Sequence, residues 1–252
     1  MATKPKVAFF DFACCEGCQL AAIDLEPEQL LDLLEVIDIV EFREAISEKS
    51  DSYDIAIIEG SITRDSDIPR LNRIRATAKI LITLGACSTI AGINALKNFQ
   101  TKKEYQEAVY PSDPEKYETT TARPVAEFVE VDAFIPGCPI DTDEFVRVVK
   151  NLVLGKKPDI PEYPVCVECK RNENICVYEK GIQCLGPVIR AGCNARCPSF
   201  GGYCFGCRGL VPEPNIKSQQ DIMQKYGLTF DGLQDKFKLF LERNKEVFPD
   251  DK

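Results

Sequence analysis

Through the first half of the chain, apolar residues come in short runs separated by amphipathic stretches. Lys6 to Phe10 reads as a short strand, Gln19 to Val36 carries helical spacing, and Asp38 to Phe42 is strand-like again. Tyr53 to Ile58 (Tyr-Asp-Ile-Ala-Ile-Ile) is the clearest buried strand. Glu59-Gly60-Ser61 follows, Asp67 to Ala78 reads as a helix, and Lys79 to Leu84 is a further apolar strand ending at Gly85. Thr101 to Pro124 is polar, with prolines at 111, 114 and 124, and reads as an excursion before a last strand, Val129 to Ile135. A helix from Thr142 to Leu154 closes the pattern. Strands alternating with helices in this way predict a parallel sheet covered on both faces.

The expected architecture is therefore α/β, a doubly wound, flavodoxin-like domain over residues 1–154. Residues 155–164 read as a linker, because three prolines in seven residues forbid a regular helix there. Residues 165–252 form a second, irregular, cysteine-rich domain with a C-terminal helical tail. Between Cys166 and Cys207 stand eight cysteines and six glycines, with too few aliphatic residues for an ordinary core, so this segment must be organised by what its thiols bind. Gln219 to Phe248 reads as one or two amphipathic helices, broken near Gly227 or Gly232.

Composition narrows the chemistry. The chain has 252 residues, 44% of them hydrophobic and 28% charged, and no apolar run near the roughly 20 residues that span a bilayer. Met1 to Phe10 has no secretory or twin-arginine pattern, so a cytoplasmic protein is expected, with no membrane association. A net charge of −9 would repel a phosphate backbone, which argues against nucleic acid and for a protein partner. Thirteen cysteines then stand out. Disulfides are disfavoured in the cytosol, so thiols in such number point to metal. The chain has no His and no Trp, which leaves all-thiolate sites and restricts the metal to zinc or iron–sulfur.

In the first domain Cys14, Cys15 and Cys18 follow the first strand, Cys87 follows the strand ending at Leu84, and Cys138 follows the strand ending at Ile135. The carboxyl ends of the strands form the ligand crevice of an open α/β sheet, so Cys15, Cys18, Cys87 and Cys138 can converge on one cluster. Glycines 17, 85 and 137 let backbone N–H groups approach cluster sulfurs. The plainer reading makes Cys87 and Cys138 buried core thiols. Cys14, next to Cys15, points elsewhere and reads as structural, with ligand exchange as the lesser alternative. The second domain carries Cys166-x2-Cys169-x6-Cys176-x7-Cys184 and Cys193-x3-Cys197-x6-Cys204-x2-Cys207. These are two sets of four, suited to two four-iron, four-sulfide clusters; two zinc knots are the competing reading. From Pro161 to Leu210 six Lys or Arg face four Glu, and Arg190, Arg196 and Arg208 each sit near a candidate ligand, although surface solvation would explain any one of them.

The block Cys184-Leu-Gly-Pro-Val-Ile-Arg-Ala-Gly-Cys-Asn-Ala-Arg-Cys-Pro198, followed by Cys204-Phe-Gly-Cys-Arg-Gly209, resembles the small (delta) subunit of cytoplasmic group 3 nickel–iron hydrogenases of the NAD(P)-linked sulfhydrogenase type. Cys15-Glu-Gly-Cys18, Gly85-Ala-Cys87 and Gly137-Cys-Pro139 resemble that family's proximal-cluster motif, and the likeness runs from about residue 5 to about residue 210. The resemblance implies three four-iron clusters: a proximal one on Cys15, Cys18, Cys87 and Cys138, a medial one on Cys193, Cys197, Cys204 and Cys207, and a distal one on Cys166, Cys169, Cys176 and Cys184. Exported relatives often have His at the first distal ligand and Pro for one medial Cys; here positions 166 and 197 are both Cys. It implies further a nickel–iron large subunit and a flavin and iron–sulfur diaphorase as partners, with this chain an electron-transfer subunit inactive alone. Glu16 and Glu59 each have two readings, a proton-handling or partner-gating role or a solvated or interface carboxylate. A quinone-side core subunit of a complex I-like dehydrogenase, suggested by the tandem Cys14-Cys15, and a zinc-stabilised binding module are the alternatives. The resemblance transfers no motif beyond about Val211.

Overall fold

The computed structural model describes residues 4–229 and 231–241. The chain divides after Asp159 into two compact units.

The first unit is built on five parallel strands: β1 (Lys6–Asp11), β2 (Asp38–Glu41), β3 (Ile55–Glu59), β4 (Ile80–Leu84) and β5 (Ala133–Ile135). Their order, β2-β1-β3-β4-β5, is the flavodoxin-like one. The central strand β3 is buried along its whole length, which is why its sequence is continuously apolar rather than alternating. On one face Phe10, Ile58 and Leu81 pack with Leu71 and Ile74 of a helix, α3 (Ile68–Thr77), once α1 (Gly17–Ile23) and α2 (Pro27–Val36) have passed. On the other, Phe9 stacks on Phe42 with ring centroids 4.0 Å apart and tilts against Phe145 of α6 (Thr142–Val153), which follows α4 (Gly85–Ile90) and α5 (Lys102–Val109).

Three elements differ from the sequence pattern. The single helix expected over Gln19–Val36 is two, because Pro27 opens α2 and lacks the N–H needed to continue α1. The last strand starts at Ala133 rather than Val129: Val129 donates to the Val125 carbonyl in a turn, and pairing with β4 opens only where Asp132 donates to Leu81 O. Val129 and Val131 still pack on the core, which explains their apolar signal. The polar excursion contains α5, opened by a capping box in which Thr101 and Glu104 satisfy each other's backbone N–H groups.

The second unit has little regular structure: α7 (Val165–Arg171), a 3-10 turn at Val177–Lys180, the one-turn α8 (Arg196–Ser199), α9 (Ile216–Lys225) and α10 (Asp231–Leu241). The helical tail breaks around Gly227, and the part of the expected tail beyond Leu241 lies outside the described residues. No helix among the described residues is long and apolar enough to cross a membrane.

Candidate metal centres

Sheet register decides where the first thiols stand. Asp11 pairs with Glu59, Glu59 with Leu84, and Leu84 with Ile135, so β1, β3, β4 and β5 end in one row. Within seven residues of that row come Cys14, Cys15 and Cys18 after β1, Cys87 in α4 after β4, and Cys138 after β5. The β1 loop is fixed by reciprocal bonds between Ala13 and Ser61, and by Asn94, whose amide donates to Ala13 O at 2.7 Å and Ser61 Oγ at 2.9 Å. Chain entry from β4 into α4 runs through Gly85 at φ +82°, a conformation L side chains rarely adopt, and a methyl there would collide with Cys18 Sγ. The site is thus a cradle that any Cβ at this position would fill.

Electrostatics places these thiols together. Burial pushes Cys87 up to about 12, with the Cys138, Glu59 and Cys15 charges adding to it. Burial likewise raises Cys18, helped by Glu59, Cys138 and Cys87, and Cys138 rises by burial and its neighbour Cys15. Cys14 is pushed to about 12 by burial and by Glu59, and it also feels Cys87. Thiols that oppose each other's ionisation in this way give up their protons together only when compensating positive charge enters among them, as a metal cluster provides.

Glu59 is only 2% exposed. Its carboxylate accepts the N–H of Cys18 at 3.2 Å and of Gln19 at 2.9 Å, and no local side chain caps α1. It therefore acts as the N-cap of α1 from another strand, and burial still raises its pKa against those bonds. Glu16, left-handed at φ 61°, lies at the surface, where its carboxylate pairs with Arg43; the same guanidinium reaches Asp11 at 3.5 Å and Glu44 at 3.3 Å.

In the second unit Cys166, Cys169, Cys176 and Cys184 line one cavity, with Val165, Tyr178, Gly186 and Pro198 completing its wall. Burial pushes Cys166 up to about 12, and Cys184, Cys169 and Cys176 all add to it. A Cβ at Gly186 would lie 3.3 Å from Cys166 Sγ and 3.5 Å from Cys184 Sγ, so this residue too leaves room beside sulfur. Cys184 Sγ accepts N–H groups from Cys204 at 3.2 Å and Gly186 at 3.4 Å, and Asn174 donates to Cys169 Sγ at 3.7 Å. Tyr178 and Gln219 both donate to the Cys184 carbonyl, at 2.8 and 3.0 Å.

The other four thiols repeat the same gradation, with Cys204 buried, Cys193 and Cys207 half-buried and Cys197 exposed. Burial raises Cys204 well above the ordinary thiol range, with Cys184, Cys207 and Cys193 adding to it; Cys193 is raised by burial and lowered in part by Arg208. Cys197 sits at the surface in α8. Arg208 is buried and donates from Nε to Ala191 O at 2.7 Å; Arg190 donates to Pro161 O at 2.8 Å, and Arg196 is exposed at the start of α8. Among the described residues no three cysteines or carboxylates close to the spacing a single metal ion needs. Four thiols lining one cavity are a donor set that suits a sulfide-bridged iron core.

Sequence reading found all the thiols but missed Asn94, Glu168, Tyr178 and Gln219, which hold the thiol loops by bonds to distant backbone. Their partners lie elsewhere in the chain, so no local pattern marks them, and only Tyr178 and Gln219 are buried.

Residues 15–152 match the family described as NADH ubiquinone oxidoreductase, 20 Kd subunit. Sulfhydrogenase 2 subunit delta of Pyrococcus furiosus is 37% identical over 222 residues, covering 87% of this chain and 92% of that one. A subunit in a crystal structure of an NAD+-reducing nickel–iron hydrogenase in the H2-reduced state is 27% identical with a TM-score of 0.57, over 63% of this chain and 96% of that one. This chain is a nickel–iron hydrogenase small subunit. The fold of the hydrogenase small subunit extends across the cysteine-rich unit: a chain of the nickel–iron–selenium hydrogenase from Desulfomicrobium baculatum, 15% identical, has a TM-score of 0.55 and covers 90% of this chain and 100% of that one. The family match at residues 15–152 lies wholly in the first unit of this small subunit, so the eight cysteines from Cys166 onward are outside it.

Proposed function

We propose that this small subunit relays electrons through three four-iron, four-sulfur clusters between the nickel–iron site of a large subunit and an NAD(P)-linked diaphorase. Cys15, Cys18, Cys87 and Cys138 would hold the proximal cluster, Cys193, Cys197, Cys204 and Cys207 the medial one, and Cys166, Cys169, Cys176 and Cys184 the distal one. The observation that carries the reading is the arrangement of the thiols. Four stand on one row of strand ends, four line one cavity, and both sets have glycines that clear space beside sulfur.

Bound clusters of this kind supply one-electron transfer at potentials set by their surroundings. The chain's own contribution is to set those surroundings. N–H groups from Cys204 and Gly186 stabilise negative charge on Cys184 sulfur, which favours the reduced state there. Tyr178 and Gln219 fix the Cys184 carbonyl and keep water from that side. The Glu59 carboxylate holds the backbone of Cys18 and places negative charge near the proximal thiols, which opposes reduction. A nicotinamide nucleotide as final acceptor is supported by the likeness to a subunit of an NAD+-reducing nickel–iron hydrogenase. The complex I-like reading is disfavoured because that family match contains only the first thiol set.

The test is anaerobic purification of the native complex, with iron, nickel, zinc and labile sulfide assigned to each subunit. The expected result is about twelve irons and as many sulfides on this chain, nickel only on a larger companion, and hydrogen-dependent NADP reduction by the complex. Zinc without labile sulfide, or no nickel-bearing companion, overturns it.

A further inference from the structure

The loop before α8 is held in left-handed backbone that Gly192 and Asn194 tolerate and Ala195 does not favour. Gly192, Asn194 and Ala195 have φ of 113°, 52° and 49°. Two of these carry side chains, and Ala195, fully buried, has no polar group of its own to offset a left-handed backbone. Such a conformation persists only where its surroundings over-determine it.

The determinant comes from α7. Glu168 sends one carboxylate oxygen to the Gly192 N–H at 2.8 Å and the other to the Ala195 N–H at 3.0 Å, so that a single side chain spans Cys193. Asn172, one turn further along, donates to the Asn194 carbonyl at 2.9 Å and to its side-chain oxygen at 3.1 Å. Ala195 is the N-cap of α8, whose second residue is Cys197, so the same clamp sets the start of the helix carrying that thiol. Glu168 itself lies between Cys166 and Cys169, two members of the other set of four.

We propose that Glu168 is a positioning residue that builds the Cys193 and Cys197 half of one cluster site from the helix that carries the neighbouring site. The carboxylate replaces water at two backbone donors that a left-handed loop turns inward, and it fixes the spacing between Cys193 in that loop and Cys197 in α8. Loading of the Cys193 set therefore depends on a residue that ligates nothing. This inference rests on the proposed cluster assignment and adds to it which residue holds the Cys193 set together.

The test uses the intact complex. Glu168→Ala removes both acceptors, and Glu168→Gln keeps one carbonyl oxygen but no charge. Glu179→Ala, an exposed carboxylate of the same unit, is the control. Iron and labile sulfide are counted, and the clusters are followed by paramagnetic resonance during a redox titration. Glu168→Ala is expected to lose about four of about twelve irons and the signal of one cluster, with the other two unchanged. Glu168→Gln is expected to restore the iron, with that one cluster titrating at a more positive potential because a negative charge beside Cys193 is gone. The control matches wild type. Glu168→Ala with full iron and unaltered signals overturns the inference, as does loss of both clusters of the second unit, which would make Glu168 a support of the whole unit. If the wild-type complex itself holds no iron, the functional reading fails and takes this inference with it.

Discussion

Single residues in this molecule divide into thiols and the groups that aim them, and the sequence marks the first kind far more plainly than the second. Cysteine is rare enough that Cys15-x2-Cys18 and the two later sets announce themselves. Their supports bond across long stretches: Glu59 reaches Gln19 from 40 residues away, and Glu168 reaches Ala195 from 27. A carboxylate capping a remote backbone has no local pattern, so sequence left Glu59 with ambiguous roles, whereas the coordinates place it, buried, at the head of α1. Glu59→Ala should leave two buried N–H groups unpaired and destabilise the first unit by about 1–3 kcal/mol in denaturant unfolding. Gly85→Ala tests the space beside sulfur: it should abolish loading of the first thiol set, with about four irons missing, while visible absorbance from the remaining sets persists.

Elements were legible where periodicity was unbroken and blurred where a single residue intervened. The core strands β1, β3 and β4 emerged from their apolar runs because a parallel sheet buried on both faces demands them. Pro27 and the Thr101–Glu104 capping box are the local signals that split one helix and create another, and both were present in the sequence. At the start of α6, Asp141 accepts the Glu144 N–H at 3.0 Å. Asp141→Ala should cost about 1 kcal/mol, read as a lower midpoint in urea. At the opposite end of the sheet, Asp54 accepts the Lys6 N–H at 2.8 Å and pairs with Lys79 at 2.8 Å, contacts that lower its pKa, the Lys79 hydrogen bond most. A carboxyl whose folded pKa is depressed stabilises above its unfolded pKa, and that stability is lost as pH falls through the folded value. The stability gap between wild type and Asp54→Asn should therefore be open at pH 7 and close below about pH 4, where the unfolded carboxyl protonates. A gap independent of pH would show that the Asp54 charge plays no part.

At the scale of the whole molecule the two units owe their order to different forces. The first has an aliphatic core that would be recognisable without any metal. The second packs short helices and loops around its thiols and a smaller apolar set that includes Val165, Leu185, Val188, Ile189, Phe237 and Leu241. The expectation of too few aliphatic residues missed that core because part of it comes from the helices after the cysteines. That difference predicts unequal responses to removing iron. Treatment with a chelator under oxidising conditions should leave the helix and sheet signal of the first unit largely in place while the second becomes the preferred site of proteolysis, observed as a stable fragment ending near Asp159. Simultaneous loss of both units would show that the sheet also needs its ligand.

Every set of four keeps at least one exposed cysteine: Cys15 and Cys138 in the first, Cys176 and Cys197 in the others. An inorganic core handed over by a biogenesis scaffold therefore meets an accessible thiol in each set, and insertion requires no unfolding. The same openings admit oxidants, so air damage to the isolated chain should begin at these four cysteines.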